Sequence, residues 1–204
     1  MPSDGKARLQ DWIETSPQHL AMLCVVRADM TINLIPTDPA QWFFVIVDLH
    51  RALNCALVAA LRGTAGIGAY PPKLRRRWLE YFDRSRTNDV DSPDSQRVEP
   101  FLELLRRAQE ASPVLQGEHL TLTAERMNDL VKLNYLRDDI EHVKPVDWYL
   151  EVVGLPRICR AAAYALAHLF SLPPVNMHLS DLERADANRA IGRILELSDD
   201  LASV

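Results

Sequence analysis

The stretch "AQWFFVIVDLHRALNCALVAALR" constrains this chain more than any other part of it. It runs between Asp38-Pro39 and Gly63 and is apolar around most of its circumference. Asp38 offers a side-chain cap, Pro39 sits where a missing N–H costs nothing, and Gly63 supplies a stop after Arg62. The span predicts one helix of about six turns. Gln41, Asp48, His50, Arg51, Asn54 and Arg62 fall on one half of its wheel. A helix this apolar is stable only as the central element of its domain, with other helices covering it. The unbroken apolar run, Trp42 to Val47, meets Asp48, His50 and Arg51 too soon to be read as a membrane span.

The remaining segments supply the covering elements. Residues 4–15 read as a short amphipathic helix. Ser16-Pro17 is a second start signal, although residues 20–35, including "AMLCVV", fit helix or strand equally. "GTAGIGAYPP" is a Gly/Pro linker, "KLRRRWLEYFDR" restarts a helix, and "SRTNDVDSPDSQ" has the composition of a disordered loop. "VEPFLELLRRAQEAS" is a short helix that ends by Pro113. Thr123 caps "AERMNDLVKLNYLRDDIEHV", with Glu125 at the positive end of the helix dipole. "DWYLEVVG" connects to the small-residue helix "LPRICRAAAYALAHLFSL", which Pro173-Pro174 ends, and an amphipathic helix follows His178. Nothing alternates strongly with period two. The expected fold is an all-α antiparallel bundle forming a single domain over 1–204.

A hydrophobic share of 48% over 204 residues is enough to bury a sizeable core. The net charge of −5 argues against a protein that binds nucleic acid over its whole surface, while leaving room for a local basic patch. Cys24, Cys55 and Cys159 are isolated in apolar surroundings and read as small buried hydrophobes of a reducing compartment. "MPSDGKARLQDW" lacks the apolar region of a signal peptide, so the expectation is a cytoplasmic protein with no membrane contact. No spacing suggests a metal site or a cofactor.

The segment "LNYLRDDIEHVKP" crowds Arg137, Asp138, Asp139, Glu141, His142 and Lys144 into the end of a helix. The face that carries Met127, Leu130 and Val131 becomes polar at Asn134, Asp138 and Glu141, while Leu133, Leu136, Ile140 and Val143 form an apolar stripe opposite. One reading is plain surface chemistry. Arg137/Glu141 and Asp138/His142 are i,i+4 pairs worth ~0.2–0.5 kcal/mol each, and His142 sits where the helix dipole favours a cation. The other reading is chemical. Arg137 and His142, about 140° apart on the wheel, flank a shared target with Asn134, Asp138 and Glu141 between them. A guanidinium suits a phosphate, and a histidine suits proton transfer. Together, with no carboxylate-rich metal box nearby, they are the minimum for metal-free RNA cleavage.

"LRDDIEH" resembles the Arg-x4-His signature of the HEPN superfamily, and its place late in an all-α bundle after a long early helix agrees. The resemblance covers about 38–172, with 1–37 as an N-terminal helical extension and 178–204 as a C-terminal amphipathic helix. It implies a homodimer with two Arg/His pairs at one cleft. It further implies a metal-independent endoribonuclease of toxin or defence type, with Arg137 as the phosphate-binding cation, His142 as general base or acid and Asp138 as the orienting polar residue. The same resemblance allows a catalytically silent binding or dimerisation module of a regulatory or toxin–antitoxin-type system, working with a separate partner or antitoxin chain. Asp138, Asp139 and Glu141 beside one arginine oppose an RNA backbone and can tie Arg137 up in ion pairs, so the state of Arg137 separates the two. A plain helical scaffold is the third reading.

Asn134, Glu141, His50, Arg51 and Asn54 are the further candidates for lining the same cleft. Lys73, Arg75, Arg76 and Arg77 precede Trp78, Tyr81 and Phe82. The expectation is a basic helix start whose aromatics anchor the core, against the alternative of a phosphate-and-stacking surface.

Overall fold

The computed structural model describes residues 13–85, 91–93, 96–110, 115, 118–142, 145, 147 and 149–203. Among these residues the structure is all-α, with no strand. Eight helices appear in order: α1 Pro17–Ile32, α2 Trp42–Leu61, α3 Pro72–Ser85, α4 Phe101–Ala108, α5 Ala124–Glu141, α6 Leu155–Ser171, α7 Pro173–Asn176 and α8 Asp181–Leu195.

α2 is the central helix. Trp42, Val45, Ile46, Leu49, Leu53, Ala56 and Leu57 are buried along it, each large side chain contributing about 1.5–3 kcal/mol by burial. By length and composition Pro39–Leu61 could cross a membrane, but 67% of its most apolar window is buried inside the protein. Asp38 caps its entry as expected, accepting from the Ala40 N–H at 3.1 Å. That entry is one 3-10 turn, Pro39–Gln41, before the α-helix begins. α1 lies antiparallel against α2, started by Ser16, whose hydroxyl accepts from His19 N–H at 3.2 Å. Of residues 20–35, which the sequence left open between helix and strand, 20–32 are helical and 33–35 form a turn. Residues 13–16 are not helical, because Ser16-Pro17 starts α1; the rest of the helix expected over 4–15 lies outside the described residues.

α6 covers another side of α2. Its Ala161, Ala162, Ala163 and Ala165 are all buried, and side chains this small let the two backbones approach closely. Pro173-Pro174 ends α6 and also opens α7, where the prolines occupy the first two positions. α8 starts with a complete capping box between Ser180 and Glu183. One continuous cluster of buried apolar residues includes members of α1, α2, α4, α5, α6 and α8.

Three buried aspartates staple the bundle. Asp48 of α2 accepts from Arg27 of α1, with Nε at 2.6 Å and a second bond from Nη2. Asp29 of α1 is paired with Arg193 of α8. Asp129 of α5 takes a two-pronged bond from Arg157 of α6, both contacts at 3.0 Å. Each carboxylate is only 2–3% exposed. Each arginine runs its stem along the protein and keeps its head partly in water, which spares the pair full desolvation.

The linker after α2 is fixed by contact rather than by composition. Gly68 N–H bonds to Arg62 O at 2.8 Å, and a Cβ on Gly68 would lie 2.0 Å from the Leu61 carbonyl oxygen. Arg107 then holds the Gly68 carbonyl at 2.7 Å and Glu99 at 2.8 Å. α3 leaves this base without burying a single residue. Its expected core anchors, Trp78, Tyr81 and Phe82, instead pack on one another and on Tyr70.

Candidate functional site

α5 positions the charged cluster because its ends are well defined. Thr123 accepts from Arg126 N–H at 3.2 Å at one end, and Leu130 and Leu133 drive the middle of the helix into the core. At the other end the helix stops at Glu141. His142 is its C-cap, with φ −103 and ψ 80, and its N–H reaches Asp138 O at 3.0 Å.

Asn134, the first polar residue of the late face, is buried against α2. Its Oδ1 lies 3.1 Å from His50 Nε2, and its amide N–H donates to Asp138 Oδ2 at 3.3 Å. Arg137 Nη1 contacts Asp138 Oδ1 and Glu141 Oε2, each at 3.0 Å. Arg137 Nη2 is 3.3 Å from His50 Nε2. Arg51, one residue along α2, reaches Glu141 Oε1 at 3.4 Å. The result is a closed polar ring of His50, Asn134, Asp138 and Arg137, spanning two helices, from which Glu141 and then Arg51 extend. Arg137 Nε is buried with no hydrogen-bond partner among the described residues, and the arginine side chain as a whole is 22% exposed.

His50 is the keystone of this ring. It is 5% exposed and stacks on Phe101 with centroids 4.4 Å apart. Burial, and next the Arg137 guanidinium, push its pKa down from 6.5 to about 4; the Asn134 contact and the carboxylates of Asp138 and Glu141 oppose this only partly. The imidazole is therefore neutral at pH 7. Its Nε2 can carry a proton for Asn134 or a lone pair for Arg137, but not both at once.

The structure thus brings together seven of the eight residues singled out from sequence into one end of the α2–α5 pair, with differing degrees of contact. Arg137, Asp138, Asn134, Glu141, His50 and Arg51 are bonded to one another. His142 is exposed next to them, and its side chain makes no hydrogen bond among the described residues. Asn54 is half-buried and likewise unbonded. Of the two expected i,i+4 pairs, Arg137/Glu141 forms and Asp138/His142 does not. His142 has left helical geometry, and Asp138 turns to Asn134 and Arg137 instead.

The histidine that touches Arg137 is His50, a contact across 87 residues of chain that no local pattern announces. The signal that pointed to it was only its place on the polar half of an otherwise apolar helix. Among the described residues no three His, Cys, Asp or Glu side chains are grouped to hold a metal ion. Burial raises the thiols of Cys24, Cys55 and Cys159, the last two to about 11 and about 12, as befits packing residues. No family model, curated protein or solved structure matches the chain.

Proposed function

We propose that this chain is a HEPN-like cytoplasmic protein that dimerises and cleaves RNA without a metal ion, with Arg137 and His142 as the working pair. The observation that carries the reading is the end of α5. There an arginine is held at the rim by Asp138, Glu141 and His50, and the exposed imidazole of His142, five residues on, has no hydrogen bond among the described residues. In this reaction His142 takes the proton of a ribose 2′-hydroxyl and the 2′-oxygen attacks phosphorus. Arg137 binds the phosphoryl oxygens on which charge accumulates. The P–O5′ bond breaks, the 5′-oxygen leaves with a proton from the second protomer's histidine, and a 2′,3′-cyclic phosphate remains. A phosphate entering the site replaces the Glu141 carboxylate on Arg137, and Arg51 is placed to keep that carboxylate.

Dimerisation is supported by an exposed apolar stripe. Leu20, Leu23 and Met30 share one face of α1 at spacings of three and seven, with Leu34 in the turn after it and Phe44 of α2 also exposed, and they are 37–64% accessible. That spacing is the seam of a helix pair, and a second copy presents the same seam. A catalytically silent dimerisation module is the second reading, and one observation favours it: Arg137 already holds two carboxylates.

Labelled single-stranded RNA incubated with the protein in EDTA tests the choice, with light scattering alongside. Cleavage by the wild type that falls by 10²-fold or more in His142→Ala supports the enzyme. A dimer that cleaves nothing supports the silent module. Equal cleavage by both proteins would refute the role of His142.

A further inference from the structure

We infer that α3 is a separate docking surface for single-stranded RNA. The inference takes its ligand class from the reading above but rests on different residues. α3 holds Lys73, Arg75, Arg76, Arg77 and Arg84 against Glu80 and Asp83, a net +3 in a chain of −5, so the other residues together carry −8. Lys73, Arg75 and Arg77 have no carboxylate partner among the described residues, and Arg76 has only a 4.0 Å contact with Glu80. Most arginines elsewhere in the bundle are used in ion pairs: Arg27, Arg157 and Arg193 on buried aspartates, Arg107 on Glu99, and Arg137 on Asp138 and Glu141. Arg62 and Arg126 instead meet His178 and the Tyr164 ring.

Neither helix stability nor core packing accounts for these cations. Basic residues in a first turn oppose the helix dipole by ~0.3–1 kcal/mol each, and no α3 residue is buried. The aromatic residues point to what does. Trp78, Tyr81 and Phe82 occupy one face of α3, with ring centroids 5.6–5.7 Å apart, and Tyr70 joins them at 6.3 Å from Trp78. At 100° per residue, Arg75 and Arg77 lie on opposite edges of that face, each about 60–90° from its centre. Unpaired guanidiniums flanking half-exposed rings suit a flexible strand, whose phosphates meet the cations while its unstacked bases meet the rings. An acidic polypeptide would use the cations and leave the rings idle. A groove of about 520 Å³ bordered by Arg77, Tyr81 and Arg84, and also by Glu80 and Asp91, is wide enough for one nucleotide. The base of α3 is held by the Arg107 bonds to Gly68 and Glu99, so the surface is presented from a fixed point.

The test is anisotropy of a labelled 15-nucleotide oligouridine with full-length protein carrying His142→Ala, at two salt concentrations. Binding that weakens as salt rises, and that falls tenfold or more in Arg75→Gln/Arg77→Gln with circular dichroism unchanged, is the expected result. Tyr81→Leu weakens binding without changing its salt dependence. Lys132→Gln/Arg189→Gln, with the same change in net charge elsewhere, leaves binding intact. The inference is overturned if the α3 variant binds as the parent does, if the control pair costs as much, or if polyglutamate of equal charge competes as well as the RNA. Because every protein in the assay lacks His142, failure of cleavage and failure of this surface are read separately.

Discussion

His50 makes stability depend on pH in a way that can be isolated. In the native state its pKa is lowered from 6.5 to about 4, so the unfolded chain binds a proton at a pH where the folded chain does not. Stability is therefore complete above pH 6.5, falls as pH drops between 6.5 and 4, and levels off below 4. At ~1.4 kcal/mol per pH unit the full loss is about 3 kcal/mol, with about 1 kcal/mol gone by pH 5.5 and about 2–3 kcal/mol by pH 4.5. The carboxylates of the bundle titrate in the same range, so the measurement is a difference. Urea unfolding of wild type and His50→Gln at pH 7.5, 6.5, 5.5 and 4.5 cancels their contribution. Glutamine also keeps a donor for Asn134 and an acceptor for Arg137. At pH 7.5 the variant should be the less stable protein, having lost the stack on Phe101. The gap between the two should then shrink by about 2–3 kcal/mol on going to pH 4.5. A gap that stays constant across the four pH values would refute a buried neutral imidazole at this position, and with it the account of how Arg137 is held.

The bundle makes further commitments. Gly68→Ala places a methyl group on the Leu61 carbonyl oxygen, so thermal unfolding should show a loss of about 1–3 kcal/mol, a fall of several degrees for a chain of this size. Ser180→Ala removes the hydroxyl of the α8 capping box and should cost about 1 kcal/mol in urea unfolding, with Ser180→Asp close to wild type. Leu23→Glu/Met30→Glu adds four charges to the paired seam of a dimer. Light scattering should report a monomer with unchanged helicity, and RNA cleavage should disappear with the dimer.

Much of the helix layout is legible in the sequence because it is set locally. The caps at Ser16, Asp38 and Thr123 work through bonds to backbone groups two or three residues away, and Gly63 at φ 63 ends α2 because other residues avoid that conformation. The apolar circumference of 42–61 required a central helix, and α2 is one. The polar end of α5 was also visible, since Asn134, Arg137, Asp138 and Glu141 share a face by period alone. The same local rules went wrong where a local signal had no partner to act on. Trp78, Tyr81 and Phe82 read as core residues because aromatic residues at helical spacing usually are. Whether a bundle face exists to receive them is not a local property, and here they pack on one another and on Tyr70 while no residue of α3 is buried.

What tertiary structure decided is the pairing between helices. Arg27 with Asp48, Asp29 with Arg193, Asp129 with Arg157, and His50 with Asn134 and Arg137 join residues 21 to 164 positions apart. A helical period fixes which side chains share a face, but it carries no record of the rotation at which that face meets another. That rotation comes from the packing of the whole core. It left His142 beyond the last helical turn, and it chose buried His50 as the imidazole that braces Arg137.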